Sequence, residues 1–404
     1  MNKSYHFPKK TIRDIAVHGK RILVRADFNV PLTEDGKIAS DYRITQTLPT
    51  LQYLLERGCS VVVIAHLGRP EGLANKKYTL EPIAERLQEL LPTVEVQFEA
   101  SLIDDKARQA CKALKPGELL LLENLRFDPR EEANDSEFAQ AIKMVSGAAY
   151  FVQDGFGVVH RAHASTEAIT HLLPSVAGLL LEKEVSTLEK AMQHPQHPVV
   201  AVVGGAKISD KIEFIERLLS IADKVLIGGA MANTFLKQQG HPIGSSVYEE
   251  GQEEEIATIL QKSQSDQLVM PVDVAVSTEI AKKSQKTICN LDDVKSGEYV
   301  LDLGPKTVEL FQKEVDKAAT IIWNGTLGYA ELPQFAESSA ALADVISRQH
   351  GATSIIGGGD TADFVLDWQA AHPKAEFTHV STGGGASLEL MSGLKLPGLE
   401  ALIS

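Results

Sequence analysis

Residues 198–205 read PVVAVVGG, a short apolar segment that ends in two glycines. An apolar run of this length, rich in valine and followed by turn residues, predicts a strand that is buried on both faces. A helix-period segment follows, and KVLIGGA at 224–230 repeats the pattern of strand and glycine turn. Buried strands that alternate with helices are typical of parallel sheets covered on both faces.

The same alternation extends along the chain of 404 residues. The other predicted strands are RILVRADF (21–28), SVVVIAH (60–66), VEVQFE (94–99), ELLLLENL (118–125), AAYFVQDGF (148–156), LVMPVDVAV (268–276), YVLDLG (299–304), TIIWNG (320–325), TSIIGGG (353–359) and FTHVST (377–382). Helical periodicity lies between them, as at 43–57, 80–91 and 135–145, where Asp135 and Ser136 are candidate N-caps. Because one hydrophobic core rarely extends beyond ~250–300 residues, we expect an α/β protein with two doubly wound, Rossmann-like parallel-sheet domains separated by a hinged cleft.

The predicted domain boundary lies between the two sets of strands. Residues 176–193 predict one long helix, which HPQHP at 194–198 ends. Such a helix can lie on the surface of one domain or connect the two, and its position favours the connection. We therefore predict a first domain at 1–173 and a second at 174–389, which begins with this interdomain helix.

Composition excludes several classes of partner. The formal net charge of −14 argues against nucleic acid and anionic membranes, since both attract basic proteins. The first ten residues lack the apolar core of a signal peptide, and the longest apolar stretch, at 172–181, is too short to span a bilayer. Cys59, Cys111 and Cys289 are widely separated, which is typical of a reducing compartment. We therefore expect a cytoplasmic protein that binds neither nucleic acid nor membrane.

The strand ends of the first half carry cations and hydrogen-bonding groups, at the sheet edge where ligands of open α/β sheets bind. They are Asp27, Asn29, His66, Gly68, Arg69, Arg126, His160, Arg161 and His163, with Arg43 at the start of the first helix. Guanidinium groups gathered at one edge repel one another, a cost that a bound anion offsets. Each residue alone can be a solvated or ion-paired side chain, and His160 and His163 lack the further ligands of a zinc site. Because four strand ends carry residues of this kind, the sequence favours an anion site at this edge of the sheet.

Glycine follows the strands of the second half. The turns are GGAK (204–207), GGA (228–230), DLGP (302–305), WNG (323–325), GGGDT (357–361) and STGGGA (381–386). Glycine lets the backbone approach a ligand closely, and helix N-termini favour phosphate. One such turn is ordinary, but six at one sheet predict a phosphate site.

Three charged residues accompany these turns. Lys207 and Lys211 are four residues apart, so we expect both ammonium groups on one face of the following helix; solvated surface lysines are the alternative. Asp360 is either an N-cap or an oxygen ligand of Mg²⁺. The chain contains neither GxxxxGK[ST] nor GxGxxG, the usual nucleotide fingerprints. One anion site and one phosphate site, on separate domains, suit phosphoryl transfer.

At this point the motifs resemble those of the phosphoglycerate kinase family. They are RADFNVP (25–31), HLGRP (66–70), ENLRF (123–127), HRAHAST (160–166), GGAK with Lys211, LDLGPKT (301–307), WNG (323–325), GGGDTA (357–362) and STGGGASLE (381–389). The resemblance implies a monomeric cytoplasmic kinase of glycolysis and gluconeogenesis. Such an enzyme reversibly transfers a phosphoryl group from 1,3-bisphosphoglycerate to ADP, giving 3-phosphoglycerate and ATP, by direct in-line transfer after domain closure.

The resemblance also implies site residues. The phosphoglycerate site would comprise Asp27, Phe28, Asn29, Arg43, His66, Leu67, Gly68, Arg69, Arg126 and Arg161. The site for ADP or ATP with Mg²⁺ would comprise Gly205, Ala206, Lys207, Lys211, Gly229, Gly304, Asn324, Glu331, Gly358, Gly359, Asp360 and Thr361. Arg43, Lys207 and Lys211 would be catalytic, Asp360 would hold Mg²⁺ and Glu331 would meet the ribose. The family's last helix returns to the first domain, so residues 390–404 are expected there.

One segment departs from the family, which usually has WNGPxGxFE where residues 323–331 read WNGTLGYAE. Thr326 replaces proline and Ala330 replaces a bulky aromatic residue, a loss for which Tyr329 can compensate. These substitutions are expected to affect nucleotide affinity and base preference, not the reaction itself.

Two rival functions remain. One is a nicotinamide dehydrogenase, against which the absence of GxGxxG argues. The other is an inactive phosphate-binding scaffold, against which the presence of Arg43, Lys207, Lys211 and Asp360 argues.

Overall fold

The computed structural model describes residues 5–404 and divides into two units; the first four residues of the predicted N-terminal domain lie outside the described residues. The first unit runs to Ser186 and includes Lys395–Ser404, and the second is Thr187–Leu394. The division thus falls later than residue 173, and the returning segment begins after residue 390. Among residues 5–404, no helix has both the length and the apolar character needed to cross a bilayer.

A six-stranded parallel sheet forms the centre of the first unit, with the strand order β3-β4-β2-β1-β5-β6. Its strands are β1 (Arg21–Arg25), β2 (Ser60–Ile64), β3 (Val96–Glu99), β4 (Leu119–Leu122), β5 (Tyr150–Gln153) and β6 (Ser175–Ala177). Side chains of one strand alternate between two apolar cores: Ile22 and Val24 lie in one, and Leu23 lies in the other. The sheet is therefore covered on both faces, as predicted.

Four helices cover the two faces of this sheet. They are α1 (Tyr42–Leu55), α2 (Glu81–Leu90), α3 (Asp105–Ala113) and α4 (Ser136–Ser146). The residues of α1 and α2 pack into one core, and those of α3 and α4 into the other. The predicted N-cap of α4 is confirmed, since the Asp135 carboxylate accepts a 2.7 Å hydrogen bond from the backbone N–H of Phe138.

The helix predicted at 176–193 is α5, which spans Leu179–Gln193. It begins three residues later than predicted because residues 176 and 177 belong to β6. Asp154, a fully buried residue after β5, accepts hydrogen bonds from the first backbone N–H groups of α5, at 3.0 Å from Leu180 and 3.4 Å from Leu181. Burial raises the pKa of this carboxyl group to about 7.

We expect Asp154→Asn to change the pH dependence of stability. The pKa of Asp154 is higher in the folded protein than in the unfolded chain, so the stability that the carboxyl group contributes at low pH is lost as pH rises toward about 7. Relative to the wild type, the variant should therefore gain about 2–3 kcal/mol of unfolding free energy between about pH 5 and about pH 8. Denaturant titrations at both pH values measure this difference. The exposed Asp105→Asn variant is the control, and an equal gain there would contradict the prediction.

The second unit also contains a six-stranded parallel sheet, with the strand order β15-β14-β13-β7-β8-β9. Its strands are β7 (Val199–Val203), β8 (Lys224–Ile227), β9 (Leu268–Val269), β13 (Thr320–Asn324), β14 (Thr353–Gly357) and β15 (His379–Val380). The opening segment, PVVAVVGG, supplies β7, which lies between β13 and β8 in the middle of the sheet. The predicted pair of parallel sheets is thus confirmed.

A three-stranded antiparallel sheet, which the sequence did not predict, lies beside it in the second unit. It consists of β10 (Asp273–Ser277), β11 (Thr287–Asn290) and β12 (Tyr299–Leu303). The DLGP turn follows β12, so the expectation that six glycine turns share one sheet is wrong: five follow strands of the parallel sheet. Pro271 lies where the predicted strand 268–276 divides, and proline cannot donate to a ladder of hydrogen bonds.

The helices of the second unit are α6 (Ile212–Leu219), α7 (Met231–Gln238), α8 (Glu253–Lys262), α9 (Pro305–Val315), α10 (Glu337–Ser347), α11 (Gly359–Ala371) and α12 (Gly384–Ser392). The short helix α13 (Pro397–Glu400) belongs to the first unit, where the backbone N–H of Gly398 donates to the carbonyl of Val159 at 2.8 Å. Ligands of such sheets bind at the carboxyl ends of the parallel strands.

Candidate functional site

The strand ends of the first unit form one hydrogen-bonded group. Asp27 accepts from the guanidinium of Arg43 at 3.1 Å and from the backbone N–H of Asn29 at 3.1 Å. The Asn29 side-chain oxygen accepts from the N–H of Gly68 at 2.8 Å, and the carbonyl of Gly68 accepts from Arg126 at 2.9 Å. The structure therefore brings together predicted residues from three strand ends and the first helix.

This group carries more positive than negative charge. Arg126 is only 5% exposed, and burial, together with the nearby charge of Arg161, lowers its pKa. Its Nε atom lies 3.4 Å from the carboxylate of Glu132 but forms no hydrogen bond. Arg69 is exposed and makes no hydrogen bond or ion pair within residues 5–404. Cations held in this way favour a bound anion with several oxygens.

Three histidines of the group are neutral at pH 7. Burial and the charges of Arg25, Arg126 and Arg43 hold the pKa of His66 well below its usual value. Burial and neighbouring arginines likewise lower the pKa of His160 and of His163 to about 4. Each neutral ring offers one N–H donor and one acceptor, so these residues can orient an anion without adding charge.

Two predicted substrate residues contribute no side chain to this group. Phe28 is fully buried and Leu67 is 2% exposed, and both pack into the apolar core that contains Ile22. Only their backbone atoms can contact a ligand, so their assignment stays a prediction.

In the second unit, the glycine turns after β7, β8 and β13 lie against one another. The N–H of Gly205 donates to the carbonyl of Thr326 at 2.9 Å, and that of Gly229 donates to the carbonyl of Leu327 at 2.9 Å. A β-carbon at Gly229, whose φ is +67°, would lie 2.4 Å from the backbone nitrogen of Gly205. Only glycine allows this approach, so the turns expose backbone to any ligand placed over them.

A pocket that is open to solvent lies beside these turns, with a cavity volume of about 210 Å³. Predicted residues among its lining are Gly205, Ala206, Gly229, Glu331 and Asp360. Sequence reasoning missed other parts of the wall, which include Asn233 and Leu236 of α7, Val247, and Tyr299 and Val300 of β12. These have no distinctive motif; the only signal was their position on elements next to the glycine turns. An apolar wall with few polar groups suits a flat organic ring.

The departing segment 323–331 contributes to the same pocket. The carbonyl of Thr326 accepts the Gly205 N–H, a role that the family's proline could also fill. Tyr329 is 41% exposed and lines the pocket together with Leu327. The aromatic ring of Tyr329 is therefore available to a ligand. It can supply the apolar contact that is lost because Ala330 stands where the family usually has an aromatic residue.

Lys211 lies between two glycine turns. Its ammonium donates to the carbonyl of Gly204 at 2.6 Å and to that of Asn324 at 3.2 Å. Burial lowers its pKa to about 8, against the opposing effect of Asp360 and Asp210. The expectation that Lys207 and Lys211 share one face of a helix is wrong, because α6 begins only at Ile212 and Lys207 lies in the preceding turn, with an exposed side chain.

The N-terminus of α11 presents Gly358, Gly359 and Asp360. The N-cap is Gly358, so the N-cap alternative for Asp360 is wrong. The Asp360 carboxylate is exposed and makes no hydrogen bond or ion pair in the described part of the chain. Nearby, the buried Thr361 hydroxyl accepts the N–H of Gly325 at 2.7 Å, and the buried side-chain nitrogen of Asn324 has no partner among residues 5–404.

A single free carboxylate fits Mg²⁺ that is carried by phosphates. Residues 5–404 contain no group of three or more potential metal ligands among His, Cys, Asp and Glu. Mg²⁺ commonly binds one or two carboxylates and completes its coordination with phosphate oxygens and water. Asp360 beside the glycine backbone of α11 meets that requirement.

The structure requires glycine at position 304 for packing, independently of any ligand. It is the N-cap of α9, and a β-carbon there would lie 2.2 Å from the carboxyl carbon of Asp273. That carboxylate accepts the N–H groups of Lys306 and Thr307, at 3.1 and 2.8 Å. Gly304 is absent from the pocket lining, although Leu303 is present. Its assignment to nucleotide binding stays a prediction.

A sequence model described as phosphoglycerate kinase matches residues 12–394. The phosphoglycerate kinase of Chloroflexus aggregans is 47% identical over 399 residues and covers 98% of both chains. That of Chlorobium chlorochromatii is 44% identical and covers 98% of this chain and 99% of its own. Two similar solved structures are the phosphoglycerate kinases of Coxiella burnetii (TM-score 0.82, 37% identity, 98% of both chains) and Pyrococcus horikoshii (TM-score 0.83, 32% identity, 97% of this chain and 98% of that one).

Proposed function

The chain belongs to the phosphoglycerate kinase family, and from that premise we propose that its first unit binds the phosphoglycerate and its second unit binds the nucleotide. The enzyme is a kinase of glycolysis. It reversibly transfers a phosphoryl group from 1,3-bisphosphoglycerate to ADP, giving 3-phosphoglycerate and ATP. The observation that carries the site assignment is the excess of positive charge at the strand ends of the first unit, where Arg126 lies 3.4 Å from Glu132 without a hydrogen bond to it and the Nε of Arg161 donates to His160 and not to a carboxylate.

In the phosphoglycerate site, the arginines and His66 hold the phosphate that is not transferred. Arg69, Arg126 and Arg161 supply guanidinium forks, which suit phosphate oxygens. Asp27 and Asn29 bind the hydroxyl and carboxyl end of the molecule. Support for this orientation comes from Asp27, whose carboxylate fixes both Arg43 and the backbone of Asn29.

In the nucleotide site, the pocket beside the glycine turns takes the base, and Glu331 meets the ribose. Gly358, Gly359 and Thr361 hold phosphate oxygens at the N-terminus of α11, where the helix dipole favours negative charge. Lys207 and Lys211 neutralise further oxygens. Asp360 holds Mg²⁺, which when bound supplies positive charge to the nucleotide phosphates.

Transfer proceeds in line, without a phosphoenzyme. A phosphate oxygen of ADP attacks the acyl phosphate, and Arg43, Lys207 and Lys211 neutralise the charge on the phosphoryl group in flight. The two substrates are held by different units, so we propose that a closing motion precedes transfer and excludes water.

We further propose that the enzyme is a monomer of the cytoplasm, a reducing compartment that suits its three separated cysteines.

A coupled assay tests the reaction directly. Purified protein is given 1,3-bisphosphoglycerate, ADP and Mg²⁺, and ATP formation is followed through hexokinase and glucose-6-phosphate dehydrogenase. We expect ATP formation that requires both substrates. A protein that binds 3-phosphoglycerate and ADP but forms no ATP would instead be the inactive scaffold.

Asp360→Asn is expected to raise the Mg²⁺ concentration needed for half-maximal turnover by at least ~10-fold, a loss typical of groups that support a metal site. The amide keeps the shape of the side chain but removes the negative charge that Mg²⁺ prefers. Steady-state rates at fixed ADP and varied Mg²⁺ measure the change. Asp367→Asn, an exposed carboxylate two turns later on α11, is the matched control. An unchanged Mg²⁺ requirement in the Asp360 variant would remove this residue from the metal site.

A further inference from the structure

Arg25, the last residue of β1, is a buried cation that has no place in the mechanism so far. Its side chain is almost fully buried, with 1% exposure. The guanidinium makes three contacts: Nε donates to the hydroxyl of Ser165 at 2.7 Å, Nη1 to the carbonyl of Ala26, and Nη2 lies 3.1 Å from Nδ1 of His66. Arg25 thus contacts one of the residues that we assign to the substrate phosphate.

We propose that Arg25 is a positioning residue that fixes the tautomer of His66, so that Nδ1 accepts from Arg25 and Nε2 carries the proton donated to the phosphoglycerate. A guanidinium has five N–H donors and no acceptor. The His66 atom facing it must therefore be the unprotonated nitrogen of a neutral ring. The contact with phosphoglycerate rests on the proposed function, whereas the tautomer does not.

A chain of hydrogen bonds with a defined direction holds Arg25 in this role. The Ser165 hydroxyl accepts from Arg25, so its own proton points to the next acceptor, the carboxylate of Glu131, at 2.5 Å. Glu131 also accepts the backbone N–H of Ser165 at 3.1 Å and is completely buried. The carboxylate is the counter-charge of Arg25, and the bonds from Arg25 Nε to Ser165 and from Ser165 to Glu131 fix the guanidinium so that its Nη2 group is left to donate to His66.

The tautomer of His66 decides whether its other ring nitrogen, Nε2, is a hydrogen-bond donor or an acceptor for a ligand. Nε2 of His66 makes no hydrogen bond within residues 5–404. In the tautomer set by Arg25, this atom is an N–H donor, which a phosphate or carboxylate oxygen accepts. In the other tautomer it would present a lone pair to the same oxygen and repel it. A neutral donor adds orientation to a site that already contains the charges of Arg126 and Arg161.

His160 provides an internal comparison. There the neighbouring arginine contacts the opposite nitrogen, since Nε of Arg161 donates to Nε2 of His160 at 3.2 Å. The same argument assigns the proton of His160 to Nδ1. Two histidines of one site should therefore have opposite tautomers, each set by an arginine.

Nitrogen-15 NMR of the wild-type protein tests the tautomers directly, and variants are needed only to assign the resonances. With ¹⁵N-labelled histidine, long-range ¹H–¹⁵N correlations at pH 7 distinguish protonated from unprotonated ring nitrogens. The spectra of His66→Gln and His160→Gln provide the assignments. We expect His66 to be protonated at Nε2 and His160 at Nδ1. A His66 ring protonated at Nδ1, or exchanging evenly between the two forms, would overturn the inference.

Addition of 3-phosphoglycerate separates this inference from the proposed function. The expected result is a shift of the Nε2 resonance of His66, with Nδ1 still unprotonated. If the tautomer is as stated but the Nε2 resonance does not move, the substrate contact is wrong and the internal role of Arg25 stands. If Nδ1 gains the proton on binding, the role of Arg25 is wrong even where substrate binds.

The double variant Arg25→Gln with Glu131→Gln releases the tautomer while removing both buried charges together, so that neither is left unpaired. Its amide can donate to or accept from His66. We expect both His66 tautomers to be populated, and KM for 3-phosphoglycerate to rise about 3- to 10-fold with little change in kcat. His160 should keep its wild-type tautomer in the same spectrum. A double variant with unchanged His66 tautomer and KM would show that Arg25 does not position the ring.

Discussion

Arg43→Ala is expected to lower kcat by about 10³-fold or more, with a much smaller change in KM for 3-phosphoglycerate. The phosphoryl group in flight spreads negative charge over three oxygens, and a guanidinium placed beside it stabilises the transition state more than the bound substrate. Arg43 is suited to this because Asp27 holds its guanidinium at 3.1 Å while 23% of the side chain stays exposed. Steady-state kinetics in the direction of ATP formation measure both constants.

Two further variants give this prediction its controls. Arg43→Lys keeps the charge but loses the planar fork, so it should recover only part of the lost turnover. Arg108→Ala removes an arginine from α3 that is 58% exposed and forms an ion pair with Asp105, three residues earlier on the same helix, and it should behave as the wild type. If Arg43→Ala retains turnover within a few-fold of the wild type, Arg43 does not contact the transferring group.

Most strands of the two parallel sheets could be predicted because their signal is local. Strands buried on both faces are continuous apolar runs, and β2 and β4 are entirely apolar apart from Ser60. The sequence missed β6, which has three residues inside the apolar stretch 172–181. Periodicity alone cannot distinguish a short apolar strand from the start of a helix, so the sequence pattern places residues 176 and 177 in the helix although they belong to β6.

The small antiparallel sheet could not be predicted for a different reason. Three of the four residues of β11 are exposed, so that strand has no apolar run to detect. Strand β12 does have one, but pairing is decided by tertiary contacts, and nothing within its five residues indicates an antiparallel partner. A sequence pattern specifies that a strand forms and which faces are buried; it does not specify the sheet that the strand joins.

The anion site of the first unit was predictable because parallel strands end at the same edge. The residue types at those ends, such as Arg126, then indicated the chemistry. Glu131 was not predictable: it lies in the charged stretch REEAND at 130–135, which has the composition of a solvated surface loop, yet it is completely buried. Its partners, Arg25 and Ser165, come from distant parts of the chain, and only folding brings these three together.

Lys211→Met is expected to lower kcat by about 10²- to 10³-fold, the loss typical when one charge-stabilising donor is removed. Methionine keeps the length of the side chain between the glycine turns but removes the ammonium. The carbonyls of Gly204 and Asn324 hold that ammonium beside the backbone that we assign to the phosphates. Thermal unfolding of the variant, together with its steady-state kinetics, separates lost chemistry from a lost fold.

The pH profile gives a second readout of Lys211. Because burial lowers its pKa to about 8, the wild-type enzyme should lose kcat/KM for ADP as pH rises through that value and the ammonium becomes neutral. Lys211→Arg stays charged at every accessible pH, so this decline should disappear while the overall rate falls. Lys313→Met, an exposed lysine of α9, is the control and should retain both the wild-type rate and the decline. A Lys211→Arg profile that still declines near pH 8 would assign that titration to another group.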